Sequence, residues 1–270
     1  MLVGRQVASY TEGAVAWLTY ADRLYQLPLG VVGIAIGTVL LPDLSRRLRV
    51  GDAEGGKASL NRGAEFALAM TLPAAVALVV IAEPLCSVLY QRGAFGHADT
   101  TATALVLAIY GAGLPAFVLH KVLQPLYYAR EDSRRPFLYA IASMITNAVM
   151  AVGMMPYIGF SAAAWATTLS GWVMVWQLWR GSRKMGDEAH FDARFRQRLP
   201  RIILSSAIMG GVLWLAAQGL DPYLHQHLWR YLALLVLCAL GIVTYFGTGA
   251  AIGAFRLSDF TALRRRAPAE

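Results

Sequence analysis

The stretch that decides the fold is Thr19–Leu48, TYADRLYQLPLGVVGIAIGTVLLPDLSRRL. Its eighteen residues Leu24–Leu41 carry one amide, Gln26, and no charge. As a helix they rise about 27 Å, close to the ~30 Å depth of a bilayer's hydrocarbon core. Asp22 and Arg23 stand directly in front of them, preceded by more apolar sequence, Ala14–Ala21. If the helix starts at Leu24, Arg23 sits at the membrane interface. Ala14–Ala21 has no Gly or Pro, however, and if it is helical too the apolar stretch reaches about 43 Å, with Arg23 about a third of the way along. An ionisable group at that depth is expensive and marks function by default. Neighbouring residues on a helix do not face each other, so Arg23 can address a cavity while Asp22 pairs elsewhere. A guanidinium facing a wet cavity is suited to clamping a diphosphate through its planar fork.

The rest of the chain agrees with a membrane setting. Its 270 residues are 57% hydrophobic and only 15% charged, against about a quarter charged in a soluble domain. Long continuous apolar runs point to an all-α polytopic transmembrane bundle rather than a β-barrel of short alternating strands. Seven spans are expected, at 14–42, 66–90, 101–128, 137–156, 160–179, 201–219 and 229–253, with a basic tail at 254–270. Residues 1–200 would form the core with an interfacial linker at its end, and 201–253 an accessory helix pair.

The net charge of +8 would suggest nucleic acid in a soluble protein. Here its placement is more telling. Nineteen of the twenty-four Lys and Arg fall on alternate connections, 43–62, 129–136, 180–201 and the tail. The connections near 91–100, 156–160 and 219–229 carry only Arg92 and Arg230. Basic residues near span ends are retained in the cytoplasm, so the C-terminus is expected inside and the N-terminus outside. The opening MLVGRQVASYTEG lacks a signal peptide's apolar core. An external start without such a leader is expected of the later part of a longer protein.

No phosphate loop, no H-E-x-x-H spacing and no soluble domain fits the connections, so neither an ATP-driven pump nor a membrane hydrolase has positive support. No cofactor is expected. Cys86 and Cys238 lie in apolar runs and are expected as buried free thiols, with no metal site. His97, His225 and His227 are expected in external loops and His190 in a cytoplasmic one. Between 190 and 201, Phe191, Phe195 and Leu199 share one helical face among arginines, as in a short interfacial helix beside anionic headgroups or a partner-binding segment.

Two further places carry intramembrane charge. Lys121 follows His120 about seven residues from the inner end of its span and can snorkel to the headgroups. Glu83 precedes Pro84 near an outer end, where it can sit at the interface or cap a half-helix. Within the first span, Pro28 is expected to bend the helix, and Gly30, Gly33 and Gly37 form a small-residue face suited to close packing or to a moving gate.

Three motifs together are distinctive: YADRLYQLPLGVVGIAIGTVLLPDLSRRL, YQRGAF and VLQPLYYAREDSRRP. They resemble the C-terminal lobe of the MurJ/MviN lipid II flippases, over essentially the whole chain and most densely from Tyr20 to Pro136. The resemblance implies the fourteen-helix fold of the multidrug/oligosaccharidyl-lipid/polysaccharide exporters. In it two six-helix lobes enclose a cavity, and two extra helices help form a groove for a polyprenyl tail. Alternating access then moves the lipid-linked peptidoglycan precursor outward. The arginine of the A-D-R motif, required for function in the family and placed in its central cavity, corresponds to Arg23, with Asp22 its companion. No family role is carried to Lys121 or Glu83. The implied partners are lipid II, membrane lipids, the N-terminal lobe and proteins of cell-wall synthesis; nucleic acid is not among them. The rival expectations are a flippase for another lipid-linked saccharide and a non-transporting membrane scaffold.

Overall fold

In the computed structural model, residues 6, 8–9, 11–183, 185–186, 190–224 and 229–254 are described. Every regular element among them is helical. Helix α1, Ala14–Ala35, is followed by a π-helical turn, Ile36–Leu40, and by α2, Leu41–Arg49. Then come α3 (Ala53–Val80), α4 (Ala82–Tyr90), α5 (His97–Tyr128), α6 (Arg134–Ile158), α7 (Ser161–Ser182), α8 (Ala193–Leu224) and α9 (Arg230–Ile252).

Six stretches are long and apolar enough to cross a membrane, α1 running on into α2 being one of them. The expected seventh, α7, has the length at 22 residues, but its Ser, Thr and Gly dilute its hydropathy and it is not among the six. It packs between α5 and α6, which shields much of it from lipid and makes a strongly apolar surface unnecessary.

The second span differs from expectation at both ends. Residues 53–62, expected in a basic loop, are the first turns of α3. Ala, Glu, Lys and Leu there are good helix formers, which a search for apolar runs does not register. Asp52 caps this helix, its Oδ1 accepting from the Gly55 amide at 2.9 Å. The run to Tyr90 is then interrupted at Ile81 (φ −111°, ψ 27°). Pro84 accounts for the break: its ring would clash with the carbonyl of Val80, four residues earlier.

Helix α5 is the hub, packed against α1, α3, α4 and α7. It approaches α3 closely at Gly111, where a side chain would meet Leu78 Cβ at 2.9 Å and the Ala75 carbonyl oxygen at 3.3 Å. On the other side of α3 lies the α8–α9 pair. Gly210 of α8 faces Val76, and the buried Tyr245 hydroxyl of α9 donates to the Ala69 carbonyl at 2.6 Å. The peripheral helix α6 packs mainly on α7 and presents Phe137, Ile145, Val149 and Val152 outward.

No free-standing interfacial helix forms around 191–199. Helix α8 starts at Ala193 and runs on through Pro200, which cannot donate to the Arg196 carbonyl one turn earlier yet does not end the helix. Phe191 and Phe195 do share a face, stacked at 4.3 Å. Of the thiols, Cys86 is buried, but Cys238 is exposed. In a membrane bundle an apolar run turns part of its surface to lipid, so an apolar neighbourhood does not imply a core position. His97 is the first residue of α5, His190 lends its carbonyl to Asn61, and His225, His227 and the tail from 255 lie outside the described residues.

The two ends of the bundle differ in chemistry. At one end gather the start of α1, the end of α4, the start of α5 and the α6–α7 turn, joined by Trp17–Asp99 and Trp17–Phe160. At the other end lie the basic connections. There Asp43 accepts from Ser59 and Arg47, the Arg130 guanidinium donates to the Met185 carbonyl, and Glu65 pairs with Arg194 and Arg198.

Candidate substrate-facing wall

Helix α1 presents two faces. Ala14, Leu18, Ala21, Tyr25 and Val32 are buried against the bundle. Arg23, Leu27, Gly30, Ile34 and Gly37 fall at intervals of four and three and form an exposed stripe on another side. The helix is continuous from Ala14 through Pro28, so Arg23 lies inside the helix and not at its first turn. The departure from α-helical winding comes later, at the π-helical turn that contains Gly37.

Asp22 and Arg23 diverge. The half-buried Asp22 accepts a hydrogen bond from Gln26 Nε2 at 2.6 Å, one turn on. Among the described residues no hydrogen-bond or ion-pair partner for the Arg23 guanidinium is found, although its charge reaches the Tyr90 hydroxyl. The i+4 spacing of Asp22 and Gln26 that allows this bond is visible in the sequence.

The N-terminal end of α1 is held by aromatic groups. Trp17 Nε1 donates to Asp99 Oδ1 at 2.8 Å, and Asp99 also accepts from the Gly96 amide at the start of α5. One turn along, Tyr20 packs with Tyr90 and Phe95, the first and last residues of the YQRGAF motif. Arg23 therefore projects from a fixed segment. This clamp escaped the sequence because its members lie 82 residues apart.

The glycines behave differently from the close-packed face expected of them. Around Gly30 and Gly37 there is open space where a side chain would be, so neither makes a close helix approach within the described residues. Gly33 is turned toward α5 and meets a charge: Lys121 Nζ lies 3.0 Å from where its Cβ would be. Lys121 is half-buried and its ammonium reaches across to α1. Its long stem lets it use the notch that a missing side chain leaves. Glu83 is exposed in the first turn of α4, where a carboxylate complements the helix dipole without making a side-chain cap bond. It is not gathered with Arg23 and Lys121 in any ion pair among the described residues.

The geometry is thus one wall: an arginine without a partner among the described residues at one end of an open stripe, and a lysine seated beside that stripe. The family model for the lipid II flippase MurJ matches residues 1–234. The chain belongs to the lipid II flippase MurJ family. A probable lipid II flippase MurJ of Rhizobium meliloti (strain 1021) is 41% identical over 96% of this chain and 49% of its own length. The Rhizobium tropici protein of the same description is 39% identical over 100% and 51%. A solved lipid II flippase MurJ in an inward closed conformation superposes with a TM-score of 0.76 at 26% identity, covering 92% of this chain and 49% of that one. A MATE structure in a bent conformation shares the fold, with a TM-score of 0.59 at 16% identity. The chain spans about half the length of the curated relatives it matches. It is a multi-pass membrane protein of the MurJ family, with the all-α architecture that its apolar runs demand.

Proposed function

We propose that this chain forms one half of a lipid II flippase that moves undecaprenyl-diphosphate-linked peptidoglycan precursor from the inner to the outer leaflet by alternating access. The observation that carries this is Arg23: a guanidinium without a partner among the described residues, on an exposed stripe inside a membrane span. Facing hydrocarbon, it would cost several kcal/mol on the order of the insertion scales, so the stripe requires a polar cavity in front of it. A diphosphate supplies the missing charge, and a bidentate fork suits it. Lys121 adds a second cation to the same wall. The α8–α9 pair, with Leu215, Leu235 and Ile242 exposed, offers an apolar surface for the polyprenyl tail.

Transport in this scheme is movement without covalent chemistry, so the chain is not an enzyme. The gathering of basic connections at one end supports a cytoplasmic C-terminus and a periplasmic start, in the inner membrane. Rocking one wall against another needs two walls, so these 270 residues alone are inactive.

The test is a strain depleted of its lipid II flippase. A full-length protein containing this half should restore growth and lipid II translocation, and its Arg23→Ala variant should restore neither at equal membrane abundance. Activity with Arg23→Ala would instead favour a scaffold, and rescue by the 270-residue chain alone would refute the two-wall requirement.

A further inference from the structure

The end of α7 and the start of α8 enclose a cavity of about 340 Å³ on the basic side of the bundle. Trp179, Phe191, Phe195 and Leu199 make its lining largely apolar, and Arg183, Arg196 and His190 complete it. Among the described residues no acidic side chain lines it. The Arg183 guanidinium carbon lies over the Trp179 ring, 3.8 Å from its centroid, a cation–π contact that positions the charge at the slot.

The arginines of this region divide into two sets. Arg194 and Arg198, one turn apart, both reach the buried Glu65 of α3, at 3.4 and 3.2 Å. Arg183 and Arg196 have no carboxylate partner among the described residues, and both are exposed. The lining is held in place independently of any ligand. Asn61 of α3, 1% exposed, donates to the His190 carbonyl at 3.2 Å and accepts from the Asp192 amide at 3.0 Å. Asp192 then caps α8 by accepting from the Phe195 amide at 2.7 Å. A slot held in place between the end of α7 and the start of α8, with both apolar and cationic lining, suits a phosphate ester with hydrocarbon attached.

We propose that this slot binds the headgroup of an anionic phospholipid of the surrounding bilayer, the phosphate on Arg183 and Arg196 and the glycerol and upper acyl carbons on Phe191, Phe195 and Leu199. The site is separate from the Arg23 wall and does not depend on the transported substrate.

Native mass spectrometry of the full chain from nanodiscs of phosphatidylcholine and phosphatidylglycerol tests it. The wild type should retain phosphatidylglycerol preferentially. Each arginine near a headgroup should contribute about fivefold, so Arg183→Gln with Arg196→Gln should lower retention by more than about tenfold. Arg196→Gln alone, at an exposed position without a side-chain bond among the described residues, should lower it by about fivefold with unchanged helix content by circular dichroism. Arg180→Gln, whose arginine lies over Trp176 outside the slot, and Arg23→Ala should both retain phosphatidylglycerol as the wild type does. Undiminished retention in the double variant, or equal losses in Arg180→Gln, would overturn the site. Full displacement by millimolar inorganic phosphate would overturn the lipid and leave a free-anion site. Loss in Arg23→Ala alone would assign the bound lipid to the transport wall.

Discussion

At the scale of single residues, the charged pair at the head of the first span resolves into two unlike groups. Asp22 is satisfied by Gln26 within one helical turn. Arg23 is left to the open side of the wall. The difference follows from helix geometry, since adjacent side chains diverge by about 100°. Charge alone is therefore not what position 23 supplies. Arg23→Lys keeps the charge and loses the fork, and translocation in the full-length protein should fall by about tenfold or more. A lysine variant as active as the wild type would show that a point charge suffices.

At the scale of elements, α1 and α5 share Lys121. Its ammonium occupies the notch at Gly33, so the two positions are coupled. Gly33→Ala places a methyl 3.0 Å from Nζ and forces the lysine to move, whereas in a Lys121→Ala background the same methyl meets nothing charged. Gly33→Ala should therefore impair translocation in the first background and have little further effect in the second. Additive effects in the double-mutant cycle would exclude the coupling. Docking of α8 on α3 is separately testable. Glu65 is 8% exposed and is the carboxylate that Arg194 and Arg198 share. Glu65→Gln should lower stability in detergent by about 1–3 kcal/mol, less than a fully buried pair because Arg194 is partly solvated, and thermal unfolding would register it.

At the scale of the whole molecule, the basic connections converge on one end although they lie far apart in the chain. Their alternation along the sequence and their convergence in space are the same fact, since successive antiparallel helices return every second connection to one side. Cysteines introduced at Ala94 and at Glu131, in a background lacking Cys86 and Cys238, should label differently with a membrane-impermeant maleimide in intact cells. Position 94 should react and position 131 should not. The reverse pattern would invert the proposed orientation.

Much of this molecule follows from local composition. Apolar runs of bilayer length determine that the chain is a bundle of membrane helices, because a backbone in hydrocarbon must satisfy its own hydrogen bonds. The A-D-R, YQRGAF and LPDLS motifs place it in its family, and the i+4 spacing of Asp22 and Gln26 places a hydrogen bond. Hydropathy could not reveal that α3 begins thirteen residues before its apolar run, because helix propensity and hydrophobicity are separate properties. Nor could it show that α7 is a helix shielded by its neighbours, that Gly33 receives a lysine, or that Trp17 is tied to Asp99. Those features depend on which residues meet across tens of positions. The sequence by itself determined the membrane setting, the helices and Arg23 as their costly charge, all of them local consequences of transfer energy and helical period. Only the tertiary structure decided which faces of those helices are covered, and so which cations remain open to a ligand.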